Sequence, residues 1–232
     1  MKRCYTGVLC VGLLAIGLSS AAQAALYDRG NGLIYDDVLN ITWLQDANYA
    51  ATQYAATSGA EGDADGAMSW NDAQAWADGL NYQGHTNWRL PSIDPLNGSS
   101  YDLTYNISGA TDYGYNNNTT NTELGHLFHV SLGYLSRFYN WNYGSDESVS
   151  IFGSSLQSDK YWSGSETSDT TALYFDMLDT HQSHANKTSE FYAWAVSNGD
   201  ISVNPVPLPA AVWLFGGGLM SLIGFGRFRK RS

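Results

Sequence analysis

Four of the five histidines fall in two pairs, His126 with His129 and His181 with His184. On a helix, imidazoles three residues apart share a face, and Glu123 lies three residues before His126. An oxygen and two nitrogens in that pattern are donors that zinc accepts. A zinc centre needs a further protein ligand beside the histidine pair, and the spacing does not fix one, so a metal is not the expected state of this segment. The second pair, His181 and His184, sits in a stretch that reads as a loop. Asp63 and Asp65, followed by Gly66, have the alternate carboxylates of a calcium loop, but the bidentate glutamate that closes such a loop downstream is missing. A solvated acidic loop is the expected state, and calcium at Asp63 and Asp65 is the one cofactor candidate. No G-x-S-x-G element and no glycine-rich phosphate loop is present. Both cysteines, Cys4 and Cys10, lie in the first 24 residues.

The other chemistry on offer is aromatic. With 16 tyrosines and 8 tryptophans the chain is rich in flat apolar faces, the surfaces against which sugar rings stack. Trp43, Trp70, Trp76 and Trp194 stand at regular apolar positions and are expected in the core. Tyr101, Tyr105, Tyr113, Tyr115 and Trp141 stand in polar, loop-like sequence and are the candidates for an exposed glycan-binding surface. Trp88, Arg89, Leu90 and Pro91 form a motif with a plainer role, because an arginine beside tryptophan can stack on the ring and tie loop carbonyls through its several donors. Tyr161 and Trp162 are assigned the same structural role.

The elements that would position these residues are partly legible. Leu33-Ile34-Tyr35 and Ile41-Thr42-Trp43-Leu44 flank a polar turn and predict a β-hairpin. The small, polar run from Ala50 to Met68 predicts a loop. Ser69, with Asp72 three residues on, has the form of a capping box, and Trp70, Ala73, Trp76, Ala77 and Leu80 recur at helical spacing, so one amphipathic helix starts here. Pro91 ends regular hydrogen bonding. From Asp94 to Asn121 the chain reads as a long irregular insertion. Glu123 to Leu135 predicts a second helix, with Leu124, Leu127, Phe128 and Leu132 on one face. YWSGSE, TALYFDML and FYAWAVSNGD alternate as strands do. Strands at both ends with two helices between them predict an α+β fold with short antiparallel strands and long loops.

Both ends carry addresses. Lys2 and Arg3 precede an apolar run that leads to Ala22-Gln23-Ala24, a small-x-small site for signal peptidase, so residues 1–24 are expected to be removed between Ala24 and Ala25. Residues 25–201 form the domain, 202–209 a proline-rich linker, 210–226 an uncharged apolar segment and 227–232 a basic tail. A helix over 210–226 would be roughly 25 Å long, just enough for a marginal membrane span, with the arginines on the cytoplasmic side. Between the two ends, five basic residues against 22 acidic ones leave a net charge of −17. That balance excludes nucleic acid as a partner. It suits neutral glycans and cations better than anionic polymers. The domain, free of cysteine, is stabilised by packing alone in the oxidising compartment to which it is sent.

Val206-Pro207-Leu208-Pro209-Ala210-Ala211, the apolar segment and the closing Arg-Phe-Arg-Lys-Arg together resemble the PEP-CTERM class of bacterial surface proteins, in its VPLPA form. The resemblance implies processing by a membrane transpeptidase, exosortase, after signal peptidase. It implies release from an inner-membrane precursor to the cell surface or extracellular matrix of a Gram-negative bacterium. Between the ends, GLIYDDVLNITWLQ, SWNDAQAWADGL, NWRLP, ELGHLF, YWSGSE and YAWAV occur in the order seen in the Lcl C-terminal domain family. That resemblance implies a C-type-lectin-like fold and a non-enzymatic, adhesive, glycan-binding role. The founding type binds sulfated glycans, which the negative charge here disfavours, and cysteines common in other members are absent. Trp70-Asn71-Asp72 spells the calcium-site signature of sugar-binding lectins, but it opens a helix, where Asp72 has a capping role. A structural biofilm-matrix component without a discrete ligand is the first alternative. A metal-dependent hydrolase centred on Glu123, His126 and His129 is the second.

Overall fold

The computed structural model describes residues 25–135 and 151–201. The predicted hairpin is present. β2 (Leu33–Asp36) and β3 (Ile41–Leu44) pair antiparallel, with Leu33 opposite Leu44 and Asp36 opposite Ile41. Its turn is built by Asp36, whose Oδ1 accepts from the backbone N–H groups of Val38 and Leu39, both at 3.0 Å. A strand that the pattern did not signal, β1 (Leu26–Gly30), pairs antiparallel with β2.

The run predicted as loop after this hairpin begins instead with a helix, α1 (Tyr49–Ala56). Its sequence, YAATQYAA, is half alanine, the best helix former, so propensity carries it. Only Ala50 of the helix is buried, so no apolar stripe announced it. Asp46 supports the first turn, taking the Asn48 N–H on Oδ1 at 3.0 Å and the Thr52 hydroxyl on Oδ2 at 2.6 Å.

β4 (Ala67–Met68) leads into α2 (Trp70–Gly79), the predicted amphipathic helix. Ser69 caps it by accepting from the Asp72 N–H, while the Ser69 hydroxyl donates to Asp72 Oδ2 at 2.6 Å. Trp70, Ala73 and Ala77 form its buried stripe. Trp76 Nε1 donates to Gln53 Oε1 at 2.9 Å and ties α2 to α1.

β5 (Trp88–Arg89) precedes Pro91. The stretch read as irregular holds two short strands, β6 (Tyr105–Asn106) and β7 (Tyr113–Tyr115). They lie parallel and very close, and a Cβ on Gly114 would stand 1.8 Å from the carbonyl oxygen of Asn106. With φ at +127°, this position accepts glycine alone.

The second predicted helix is shorter than its pattern. α3 (Glu123–His126) passes into a π-helical turn at Leu127–Ser131, marked by the Leu132 N–H donating to the Leu127 carbonyl at 2.8 Å. Leu124, Leu127, Phe128 and Leu132 are buried as expected, whereas Leu135 is exposed. The wider turn changes which side chains share a face beyond His126.

The C-terminal half adds β8 (Lys160–Glu166), β9 (Thr171–Asp176), β10 (His181–Asn186), β11 (Phe191–Tyr192) and β12 (Val196–Asn198). Strand β10 corrects the loop assigned to His181 and His184. Its sequence, HQSHAN, is polar throughout and lacks the apolar alternation by which strands are found. It forms because it pairs with β9 along its whole length, from His181 opposite Asp176 to Asn186 opposite Thr171.

The strands form a five-stranded sheet, β1-β2-β3-β12-β5, and a seven-stranded sheet, β4-β11-β8-β9-β10-β7-β6. Together with the helices they make an α+β fold. Trp194 lies at its centre, 1 % exposed, against Trp43 at 4.8 Å, Phe152 at 5.0 Å and Tyr161 at 5.6 Å between ring centroids. Its indole N–H donates to the Leu44 carbonyl at 2.7 Å, so this buried ring is also a satisfied donor. Among the described residues no helix is long and apolar enough to cross a membrane, and the segment 210–226 lies outside them.

Candidate functional site

The three candidates Glu123, His126 and His129 do not converge. Glu123 is committed to Arg89: Oε1 accepts from Nη2 at 2.7 Å and Oε2 from Nη1 at 2.8 Å, with the Ser92 N–H adding a third bond at 2.7 Å. Arg89 also donates to the Leu90 carbonyl at 3.0 Å and twice to Asn198 Oδ1, at 3.0 and 2.6 Å. Its five N–H donors make five bonds. The motif predicts that Arg89 stacks on tryptophan and ties loop carbonyls; it ties one carbonyl, that of Leu90, and its chief partner is a carboxylate. Pro91, the last of the motif, offers its carbonyl to the Gly164 N–H at 2.8 Å.

His126 is buried beside Asp36 and Ser131. The Ser131 hydroxyl donates to Asp36 Oδ2 at 2.8 Å and lies 3.5 Å from His126 Nδ1. Nothing in the spacing of positions 36, 126 and 131 signalled this Asp-Ser-His contact. Its hydroxyl proton points to the carboxylate rather than to the imidazole, the reverse of what an activated serine requires. The contact ties the π-helical turn to β2. His129 turns elsewhere, its Nδ1 donating to the Tyr134 carbonyl at 3.1 Å. Burial holds both imidazoles below their ordinary pKa, opposed for His126 by the Asp36 charge and for His129 by that carbonyl bond.

Asp63 and Asp65 build turns. Asp63 Oδ1 accepts from the Asp65 and Gly66 N–H groups at 3.2 and 3.3 Å, and Asp65 Oδ1 accepts from the Ala67 N–H at 3.0 Å. The bond from Ala67, then one from Asp63, lowers the Asp65 carboxyl pKa. These bonds give the alternate carboxylates a turn-building role. Asp72 likewise serves the cap of α2.

Tyr161 and Trp162 are fully buried. Tyr161 accepts from the Gln157 N–H at 2.8 Å, and Trp162 donates to the Met68 carbonyl at 2.9 Å. Burial drives the Tyr161 phenol far above its ordinary pKa.

The aromatic candidates divide. Tyr101 is a correction: it is half-buried, and its hydroxyl donates inward to the Ile93 carbonyl at 2.7 Å, so it fastens the loop instead of facing solvent. Trp141 lies outside the described residues. Tyr105, Tyr113 and Tyr115 come together, and they do so on strands rather than loops. Tyr105 stacks edge-on against Tyr113 at 5.4 Å and against Tyr115 at 6.3 Å. Tyr105 is the outermost ring, 52 % exposed.

This cluster continues into the histidines that the sequence had placed in a loop. In an antiparallel ladder, opposite residues share a face. His181 stands opposite Tyr115 on one side and Asp176 on the other. Its ring lies 5.4 Å from Tyr115 and 6.2 Å from Tyr174, while Tyr113 meets His184 at 5.6 Å. Tyr174 passes the series on to Phe191 at 4.8 Å, and Phe191 to the buried Trp162 at 4.4 Å. The result is a row of rings across β11, β8, β9, β10, β7 and β6, buried at one end and open at the other.

Polar groups border the row. Lys160 Nζ lies 3.5 Å from Asp176 Oδ2 and 5.8 Å from the centre of the Phe191 ring. Burial lowers the Lys160 pKa, but the charges of Asp176 and Asp159 outweigh it and raise the pKa overall. Burial lowers that of His181, against the opposing charges of Asp176 and Asp179. The Nδ1 atoms of His181 and of His184 are buried with no hydrogen-bond partner among the described residues. The exposed ring of Tyr105, with Tyr113 and Tyr115 beside it, offers a flat apolar face that a ligand can stack against. Away from the row, a cleft of about 280 Å³ lies between Gly32, Gln45, Asp46, Tyr82 and Ser155. Its walls bind one another, with Ala47 N–H donating to Ser155 Oγ at 2.9 Å and Tyr82 to the Asn31 carbonyl at 2.9 Å.

Compared with known proteins, residues 32–197 match the family model described as the Lcl C-terminal domain, more than two thirds of the chain. No curated protein and no solved structure matches.

Proposed function

The chain belongs to the Lcl C-terminal domain family, and on that premise we propose that it is an exported, non-enzymatic glycan-binding protein whose binding surface is the open end of the aromatic row. The observation that carries this reading is the convergence of Tyr105, Tyr113 and Tyr115 with His181 and His184 on one sheet, in edge-to-face and tilted contacts. Pyranose rings present apolar C–H faces to such rings and hydroxyls to the flanking nitrogens and carboxylates. The chain's acidity favours neutral over sulfated polysaccharide. A C-type-lectin-like arrangement of the domain belongs to the same reading.

Delivery to the cell surface or matrix is also part of the proposal, through signal peptidase at Ala24–Ala25 and exosortase at Val206-Pro207-Leu208-Pro209. Residues 210–226 would serve as a temporary membrane anchor. The Ala25 N–H donates to Asp37 Oδ1 at 3.0 Å, so an α-ammonium freed at that bond would meet a carboxylate.

The test is retention of the exported chain on a panel of neutral and sulfated polysaccharides. Saturable retention on a neutral glycan, reduced by Tyr105→Ala with the fold intact, supports the reading. Absence of retention on every glycan by correctly folded protein would sink it and leave a matrix component without a discrete ligand.

A further inference from the structure

We propose that Asp176, Asp179 and His181, at the turn between β9 and β10, form a site for one divalent transition-metal ion, with zinc the best match. The turn brings the three together. Asp176 Oδ1 accepts from the Leu178 and Asp179 N–H groups, both at 2.9 Å, and the Thr180 N–H donates to the Asp176 carbonyl at 2.7 Å. Thr180 is left-handed, with φ at +61°, so the chain doubles back and sets His181 directly opposite Asp176. One donor atom from each of the three residues lies within 4.8 Å of the others. A tetrahedral zinc with bonds of about 2.0 Å places its donors roughly 3.3 Å apart, so small side-chain movements complete the site.

The donor set selects the ion. One imidazole nitrogen with two carboxylates suits zinc, whereas calcium takes oxygen ligands. His181 supplies an observation independent of the acidic pair: its buried Nδ1 has no partner among the described residues. An ion bound at that atom would give it the partner it lacks.

Lys160 is the competing cation, 3.5 Å from Asp176 Oδ2. A divalent ion would displace it toward Asp159, whose Oδ1 is 3.7 Å away. Tyr115 and Tyr174 flank His181, so an open coordination position would lie beside the aromatic row. There, if the aromatic row binds glycan as proposed above, a sugar diol would complete the sphere.

The experiment titrates the full chain, purified after export and stripped with chelator, with zinc chloride alone in a calorimeter. One zinc per chain is expected. Asp176→Asn, which keeps an acceptor for the turn, and His181→Gln should each weaken binding by about tenfold or more. Lys160→Gln should tighten it several-fold, and this variant tests the site even if the others fail to fold. His126→Gln should leave it unchanged. Absence of saturable binding, or one-to-one binding that His181→Gln leaves intact, overturns the site. Because no glycan enters this titration, its failure is separate from failure of the polysaccharide panel. Zinc binding with glycan retention insensitive to chelator keeps the site and removes the diol.

Discussion

Two polar regions of this molecule, built from similar residue types, are finished to different degrees. Around Arg89 every guanidinium donor has an acceptor, and Glu123 receives three bonds on a side chain that is 9 % exposed. Around His181 the rings pack as closely, yet two buried imidazole nitrogens have no partner among the described residues and the outermost tyrosine is half in solvent. A network closed on itself stabilises and specifies the fold. A network with free valences beside open rings has capacity for something else.

The comparison can be broken most forcefully at its closed side. Arg89→Met leaves Glu123 buried without its counter-charge. The expected cost is about 3 kcal/mol, the low end for a broken buried pair because Arg89 is itself 30 % exposed. In a domain of this size that lowers Tm by about 6–12 °C. Calorimetry of the variant checks it, and a Tm within a degree of the parent would show that the node is not structural. At the open side, Tyr105→Ala should weaken glycan retention by about 1–2 kcal/mol, as exposed aromatic anchors do. Tm should hardly change. A large fall in Tm would place Tyr105 with the core.

Tyr101→Phe sharpens the division among the tyrosines. Losing the bond to Ile93 should cost about 1 kcal/mol of stability and leave retention untouched. The gentlest effect is a slope with pH. Burial depresses His126, His129 and His181 in the folded state, so between those pKa values and the unfolded value of about 6.5 the unfolded chain binds more protons. Stability is therefore complete above about pH 6.5 and falls as pH drops through the unfolded and then the folded values. Denaturant midpoints between pH 7.5 and 5 measure the slope. His126→Gln should flatten it, and an unchanged slope would remove His126 from its cause.

Several elements follow from the sequence because their causes are local. Two apolar runs flanking a polar turn set the β2–β3 hairpin, Ser69 and Asp72 set the start of α2, and regular apolar spacing put Trp43, Trp70 and Trp194 in the core. The α+β class followed from those patterns. The structure decided what local spacing cannot express. Strand β10 is polar along its length and exists because β9 and β7 offer it a ladder on either side. Glu123 and His126 stand at helical spacing, yet Arg89 claims the first and Asp36 with Ser131 surrounds the second, because partners distant in the chain compete for the same atoms. Tyr105, Tyr113 and Tyr115 carry no signal toward His181. Their meeting depends on sheet order and register, which arise only when strands distant in sequence pair, and spacing along the chain encodes the face of an element but not its neighbour.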